Sequence, residues 1–190
     1  MEKVIKAGAT FVQLREKSIS RKEFIVEAQE IRKLTERYNV PFVINDDIDV
    51  ALASNADGVH VGQSDMNAKD VRGLIGDDKI LGVSVQTVEQ AINAKENGAD
   101  YIGVGAVFST STKLDADIVT LDTVKKICKS VSIPVVVIGG INKDSILLLK
   151  GSGIDGVAVI SAMFAQSDFK KATIEMRSLA EEVCRDKNSY

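Results

Sequence analysis

Two acids close a run that is otherwise built for burial. In "FVINDD", Phe42, Val43 and Ile44 lead directly into Asn45, Asp46 and Asp47. A carboxylate taken out of water costs several kcal/mol unless a cation or donors meet it, so these acids require partners. A second acid, Asp65, follows the apolar run "GVHVG". Two carboxylates with Asn and Gln oxygens nearby form a hard-oxygen site, the kind that Mg²⁺ takes and shares with substrate phosphates. Arg15, Lys17 and Lys113 supply cations for the same phosphates. Asp46 is assigned toward metal and Asp47 toward the cap of the following helix, where Asp is favoured. A second phosphate signal is Gly139-Gly140 in "VVVIGGIN", whose backbone N–H groups can approach an anion, together with Ser161 in "VISAMF". The hydroxyls of "STSTK", Ser109 to Lys113, followed by a cation, also favour anion contact. His60, the only histidine, is read as a packing or hydrogen-bonding residue at a strand end. The chain has neither a Ser-His-Asp order nor a His-rich metal spacing.

A repeated phrase positions these residues. "AGATFVQLR", "SNADGVHVG", "NGADYIGVG" and "SGIDGVAVI" each open on a small, turn-forming start and continue as an apolar run. The Gly suits a helix C-cap, and the run suits a strand buried on both faces. Seven strands are expected, around Phe11–Leu14, Phe42–Ile44, Gly58–Val61, Leu81–Val85, Tyr101–Val107, Val135–Ile138 and Gly156–Ile160. Helical patterns separate them. Ser20 to Tyr38 carries Phe24, Ala28, Ile31 and Leu34 on one stripe. Thr87 to Asn97 opens on "TVEQ", a capping box of Thr87 and Gln90. "NKDSILLLK" and "DFKKATIEMRSLAEEVCR" also read as helices, and "EKVIKAGA" as the second half of one ending at Gly8. Alternation of this kind predicts an α/β fold with a parallel sheet and right-handed crossovers. Seven near-equivalent units point to a (β/α)8 barrel, a TIM barrel, whose first strand is absent from the chain. Active sites of such barrels lie at the carboxyl ends of the strands. The strand ends here carry Gln13, Arg15, Glu16 and Lys17; Asn45, Asp46 and Asp47; His60, Gln63 and Asp65; Ser84 and Gln86; then the "STSTK", "GGI" and Ser161 groups.

Composition bounds the reading. The 190 residues are 45% hydrophobic and 27% charged, which suits one globular domain over the whole chain, 1–190. A net charge of -3 gives no general affinity for nucleic acid, and 5% aromatics without Trp argue against base-stacking platforms. No apolar run approaches the roughly 20 residues of a membrane span, and "MEKVIKAGAT" lacks the apolar segment of a secretory signal. Cys128 and Cys184, each on the apolar side of a predicted helix, read as buried thiols of a cytoplasmic protein.

With these residues in view, the chain resembles thiamine phosphate synthase, also called thiamine phosphate pyrophosphorylase. The resemblance runs from "VQLREK" through "VINDDIDVA", "GVHVGQSD", "GVSVQT", "GADYIGVGAVFSTSTK" and "VVVIGGIN" to "GVAVISA", in the family's order and spacing. It implies a Mg²⁺-dependent transferase on a barrel scaffold that joins hydroxymethylpyrimidine diphosphate to a thiazole phosphate, releasing pyrophosphate. The implied ligands of the pyrimidine diphosphate are Gln13, Arg15, Lys17, Asn45, Ser84 and Lys113. Asp46 and Asp65 are the implied Mg²⁺ ligands. Thr110, Ser111, Thr112, Gly139, Ile160 and Ser161 are those of the thiazole phosphate. No catalytic acid, base or nucleophile is implied; the partners are small molecules, and a homo-oligomer is left open. Two departures stand out: Ser109 replaces a common Pro, and the strand of type "YLVTD" that opens family members is missing. The alternatives are a thiazole tautomerase on the same scaffold and a catalytically idle binder of phosphate ligands.

Overall fold

The computed structural model describes residues 1–109 and 118–185. Seven parallel strands form one sheet in chain order, β1 (Val12–Leu14), β2 (Phe42–Asn45), β3 (Gly58–Val61), β4 (Ile80–Val85), β5 (Tyr101–Val104), β6 (Val135–Ile138) and β7 (Gly156–Ala158). The helices are α1 (Glu2–Lys6), α2 (Arg21–Arg37), α3 (Ile48–Ala53), α4 (Ala68–Ile75), α5 (Val88–Glu96), α6 (Leu121–Ser130), α7 (Ser161–Phe164) and α8 (Phe169–Arg185). Among the described residues no helix is long and apolar enough to cross a membrane.

The sheet curls. Neighbouring strands lie about 4.8 Å apart, so β1 and β5 would be separated by roughly 19 Å in a flat sheet. Yet the rings of Phe11, just before β1, and Tyr101, the first residue of β5, meet edge to face with centroids 5.5 Å apart. Only a sheet rolled toward its own face allows that. The pleat then sorts side chains by alternation. Val12 and Leu14, Phe42 and Ile44, Val59 and Val61, and Leu81 and Val83 are buried on the convex side beneath the helices. Gln13, Asn45, His60 and Ser84 fall on the concave side.

The four repeated phrases fold alike. Gly8, Asn55, Gly98 and Gly153 take positive φ values of 115°, 53°, 88° and 85°, turning the chain out of each helix as a Gly or Asn cap does. Two residues on, in three of the units, an aspartate grips the start of the preceding strand at two points. Asp57 accepts the Phe42 N–H at 2.8 Å on Oδ2 and donates its own N–H to the Phe42 carbonyl at 2.8 Å. Asp100 does the same to Leu81, at 2.7 and 2.8 Å, and Asp155 to Val135, at 2.8 and 2.8 Å. Arg32 pairs with Asp57 at 3.1 Å and Arg72 with Asp100 at 2.6 Å, so two of the clamps are charge-backed.

Some local expectations change. "NKDSILLLK" forms only a 3₁₀ turn, Ile146–Leu149, in which Ile146 and Leu149 are buried. β5 stops at Val104, short of Val107, and β7 at Ala158, short of Ile160. Thr87 caps α5 by accepting the Gln90 N–H, but the Gln90 side chain turns back to the Gln86 N–H, so the box is not closed. The reciprocal box occurs instead at Ser20 and Glu23, opening α2. Cys128 and Cys184 are half-buried and packed against the core, with no disulfide between them.

Candidate active site

The carboxyl ends of β1 to β4 bring six predicted side chains to one mouth. Gln13 of β1 donates from Nε2 to Asn45 Oδ1 of β2 at 2.6 Å. Asn45 pairs in register with His60 of β3. Beyond Asn45 the chain turns sharply. The Asp47 N–H donates to the Asn45 carbonyl at 2.9 Å, and Asp46 between them has φ 67°. A left-handed backbone costs a non-glycine residue roughly 1–2 kcal/mol, and Asp is among the few that adopt it. Strain of this kind collects at functional sites. The Asp46 N–H still reaches the His60 carbonyl at 2.8 Å, which anchors the turn to β3.

The turn separates the two acids. Asp47 points back and caps α3, accepting the Val50 N–H at 3.0 Å, while Arg21 Nε holds its other oxygen at 3.2 Å. Asp46 points across the mouth, where Lys17 Nζ lies 2.8 Å from its Oδ2. Asp65, in the loop after β3, accepts the Gly62 N–H on Oδ2 at 2.7 Å. Partial desolvation raises the Asp65 pKa; Asp46, within hydrogen-bonding reach, raises it further, against the lowering by the Gly62 N–H. Two acids held so close repel each other unless a cation joins them. Hard oxygens, crowded charge and a single lysine together fit a divalent cation. Among the described residues no third His, Cys or acid joins this pair, so a metal here must complete its shell with water or phosphate oxygens.

Arg15, also at the end of β1, is exposed, and no carboxylate among the described residues is within ion-pair distance of it. Ser84 lies on the concave face of β4, its Oγ 2.8 Å from His60 Nε2. Gln63 donates to the Ser84 carbonyl at 2.8 Å, tying the loop after β3 to β4. His60 is buried, as is expected of a packing residue, and both ring nitrogens are engaged: Nδ1 is 2.8 Å from the Tyr101 hydroxyl. Burial lowers its pKa from 6.5 to about 4, against a raising effect of Asp46, so the ring is neutral near pH 7. Burial also raises the Tyr101 pKa, so the phenol keeps its proton. Tyr101 carries no motif signal of its own.

The opposite side of the mouth is partly described. β6 and β7 are neighbours in the sheet, so Gly139 after one and Ile160 and Ser161 after the other share a corner. Gly139 and Gly140 have φ 97° and 65°. A Cβ on Gly140 would overlap the Ser109 carbonyl and Phe108, so the bare glycine lets the loop after β5 lie directly against the loop after β6. Ile160 and Ser161 are exposed at the start of α7. Thr110, Ser111, Thr112 and Lys113 lie outside the described residues.

Known proteins share both the sequence and this architecture. The family described as thiamine monophosphate synthase matches residues 1–163. The thiamine-phosphate synthase of Clostridium tetani is 50% identical over 182 residues, covering 96% of this chain and 87% of its own length. That of Ruminiclostridium cellulolyticum is 56% identical over 172 residues, covering 90% and 82%. Among solved structures, the thiamine phosphate pyrophosphorylase of Pyrococcus furiosus superposes with a TM-score of 0.89 at 42% identity, over 96% of this chain and 88% of that one.

Proposed function

The chain belongs to the thiamine monophosphate synthase family, and on that premise we propose that it joins hydroxymethylpyrimidine diphosphate to thiazole phosphate, releasing pyrophosphate and forming thiamine phosphate. Its activity is thus that of a transferase in thiamine biosynthesis. The seven-stranded sheet is read as part of a (β/α)8 barrel. The observation that carries the site reading is the crossing of Lys17, Asp46 and Asp65 at the mouth above the polar row Gln13, Asn45 and Ser84.

In this reading the C–O bond between the pyrimidine methylene and the diphosphate breaks, and its electron pair leaves with pyrophosphate. The thiazole nitrogen then gives its lone pair to the methylene carbon, forming the C–N bond. Negative charge grows on the leaving diphosphate, so the need is for preorganised positive charge rather than for a base. Lys17 is the cation closest to this need. It is held at the mouth by Asp46 and can turn its donors to phosphate oxygens. Arg15 and Lys113 are proposed to add to the same field, and Gln13, Asn45 and Ser84 to hold the pyrimidine diphosphate. Asp46 and Asp65 would hold Mg²⁺, which when bound would neutralise diphosphate charge. On the other side Gly139, Ile160 and Ser161, with Thr110, Ser111 and Thr112, are proposed to bind the thiazole phosphate. The neutral, buried His60 is not placed to trade protons with either substrate.

The test is direct. The purified chain, given both substrates and Mg²⁺, should form thiamine phosphate and pyrophosphate in equal amounts, and chelation by EDTA should stop it until Mg²⁺ is restored. A folded chain that makes no thiamine phosphate at saturating substrates would overturn the proposal; turnover unaffected by EDTA would remove the metal from it.

A further inference from the structure

We propose that Tyr101 and His60 are positioning residues that hold the Ser84 hydroxyl as a hydrogen-bond donor aimed at the pyrimidine substrate. The inference rests on the reading above only in placing Ser84 on that substrate. The rest follows from proton counting along one row, in which His60 is buried and Tyr101 and Ser84 are half-buried. The Tyr101 hydroxyl has one proton to give, and among the described residues its hydrogen-bond partner is His60 Nδ1, at 2.8 Å. The Tyr101 ring end packs over Gly82, where any Cβ would overlap both it and His60, so this side of the phenol is closed by β4. A hydroxyl in this part-buried position that accepted from Nδ1 would leave its own hydrogen without a protein partner among the described residues and forgo the one donation open to it here.

Tyr101 therefore donates to Nδ1. A neutral imidazole carries a single N–H, so the proton sits on Nε2 and is donated to Ser84 Oγ, 2.8 Å away. With its oxygen already accepting, the Ser84 hydroxyl keeps its hydrogen for something else, and Ser84 stands on the concave face of β4. The direction of three hydrogen bonds is thus set from the floor of the curl up to the mouth. In the opposite sense Ser84 would offer lone pairs and repel the acceptor atoms of a diphosphate or a pyrimidine ring. The glycines of the neighbouring strands keep the row aligned: a Cβ on Gly103 would come within 3.0 Å of His60 Cε1.

The chain has one histidine, so its imidazole ¹⁵N signals need no assignment. In ¹⁵N-labelled wild-type chain at pH 7, long-range ¹H–¹⁵N spectra should show protonated Nε2 and bare Nδ1. The reverse tautomer would overturn the relay and leave the synthase reading intact. Kinetics supply the second arm. Tyr101→Phe keeps the ring but removes the proton donor, and should raise KM for the pyrimidine diphosphate by about 3- to 10-fold, the net worth of one neutral hydrogen bond. KM for the thiazole phosphate should not move. Ser84→Ala should show a similar loss, and the double variant Tyr101→Phe/Ser84→Ala should be no worse than Ser84→Ala alone, because Tyr101 acts through Ser84. Losses that multiply would show that Tyr101 acts on its own and would overturn the proposal. The expected tautomer with an unchanged KM in Ser84→Ala would overturn the placement of Ser84 on the substrate.

Discussion

Lys17 Nζ lies 2.8 Å from Asp46 Oδ2, joining the segment after β1 to the strained turn after β2. The pair is partly exposed, so it adds little to stability; its value is in holding an ammonium and a carboxylate ready at one point. Asp46→Asn should therefore cut turnover by roughly 10²–10³ without unfolding the chain, as the loss of one electrostatic element does in other enzymes. Asn also accepts the left-handed backbone that Asp46 takes. Turnover equal to wild type at limiting Mg²⁺ would remove Asp46 from the site.

Asp47, its neighbour, should behave oppositely. It caps α3, and Asn caps about as well as Asp, so Asp47→Asn should leave kcat/KM near wild type, whereas Asp47→Ala should lower stability by about 1 kcal/mol. Urea denaturation and steady-state kinetics on the two variants separate the cap from the site. A large kinetic loss in Asp47→Asn would mean that the two acids share one role.

Lys113→Ala should weaken turnover that depends on the pyrimidine diphosphate while leaving thiazole phosphate binding near normal by titration. Equal loss of both ligands would point to a general failure of that side of the site rather than to a missing cation.

His60 makes stability depend on pH. Its pKa is about 4 in the fold against an ordinary 6.5, so between these values the unfolded chain binds a proton that the folded chain refuses. The contribution is intact above pH 6.5, erodes as pH falls toward 4, and changes no further below that; the full loss is roughly 3 kcal/mol. His60→Gln cannot titrate, so its urea midpoint should fall less between pH 7 and 4.5 than that of wild type. Parallel curves for the two chains would contradict the buried neutral imidazole.

Asp100→Ala tests the other end of the sheet. It strips the acceptor from the buried Leu81 N–H and the carboxylate partner from Arg72. Stability should drop by about 1–3 kcal/mol, while KM for both substrates, measured well below the melting temperature, should hold.

Much of this was legible in sequence because parallel strands and their helices repeat. The apolar runs at Phe42, Gly58, Leu81 and Val135 each became a strand, and the polar residues that end β1 to β4 converged as the fold class requires. The left-handed turns at Gly8, Gly98 and Gly153 followed from residue type alone, whereas Asn55 takes the same place in the second phrase. What escaped depends on contacts across the sheet. Tyr101 reaches His60 from two strands away, and no linear spacing encodes that. The aspartates of the repeated phrase read as turn residues, yet they work as strand clamps. At Ile146–Leu149 the apolar run reads as a helix, yet only Ile146 and Leu149 are buried, a spacing of three that a single 3₁₀ turn satisfies, while Leu147 and Leu148 stay exposed.

The clamps at Asp57, Asp100 and Asp155 have a consequence for the far end of the molecule. In a strand, whether a side chain faces ligand or helix is a matter of parity: a slip of one residue exchanges the two sets wholesale. Asn45 would trade places with Ile44, and Ser84 with Val83. By fixing both the N–H and the carbonyl of Phe42, Leu81 and Val135, the three acids forbid that exchange in β2, β4 and β6. Carboxylates that never approach a substrate thereby decide which residues a substrate can meet.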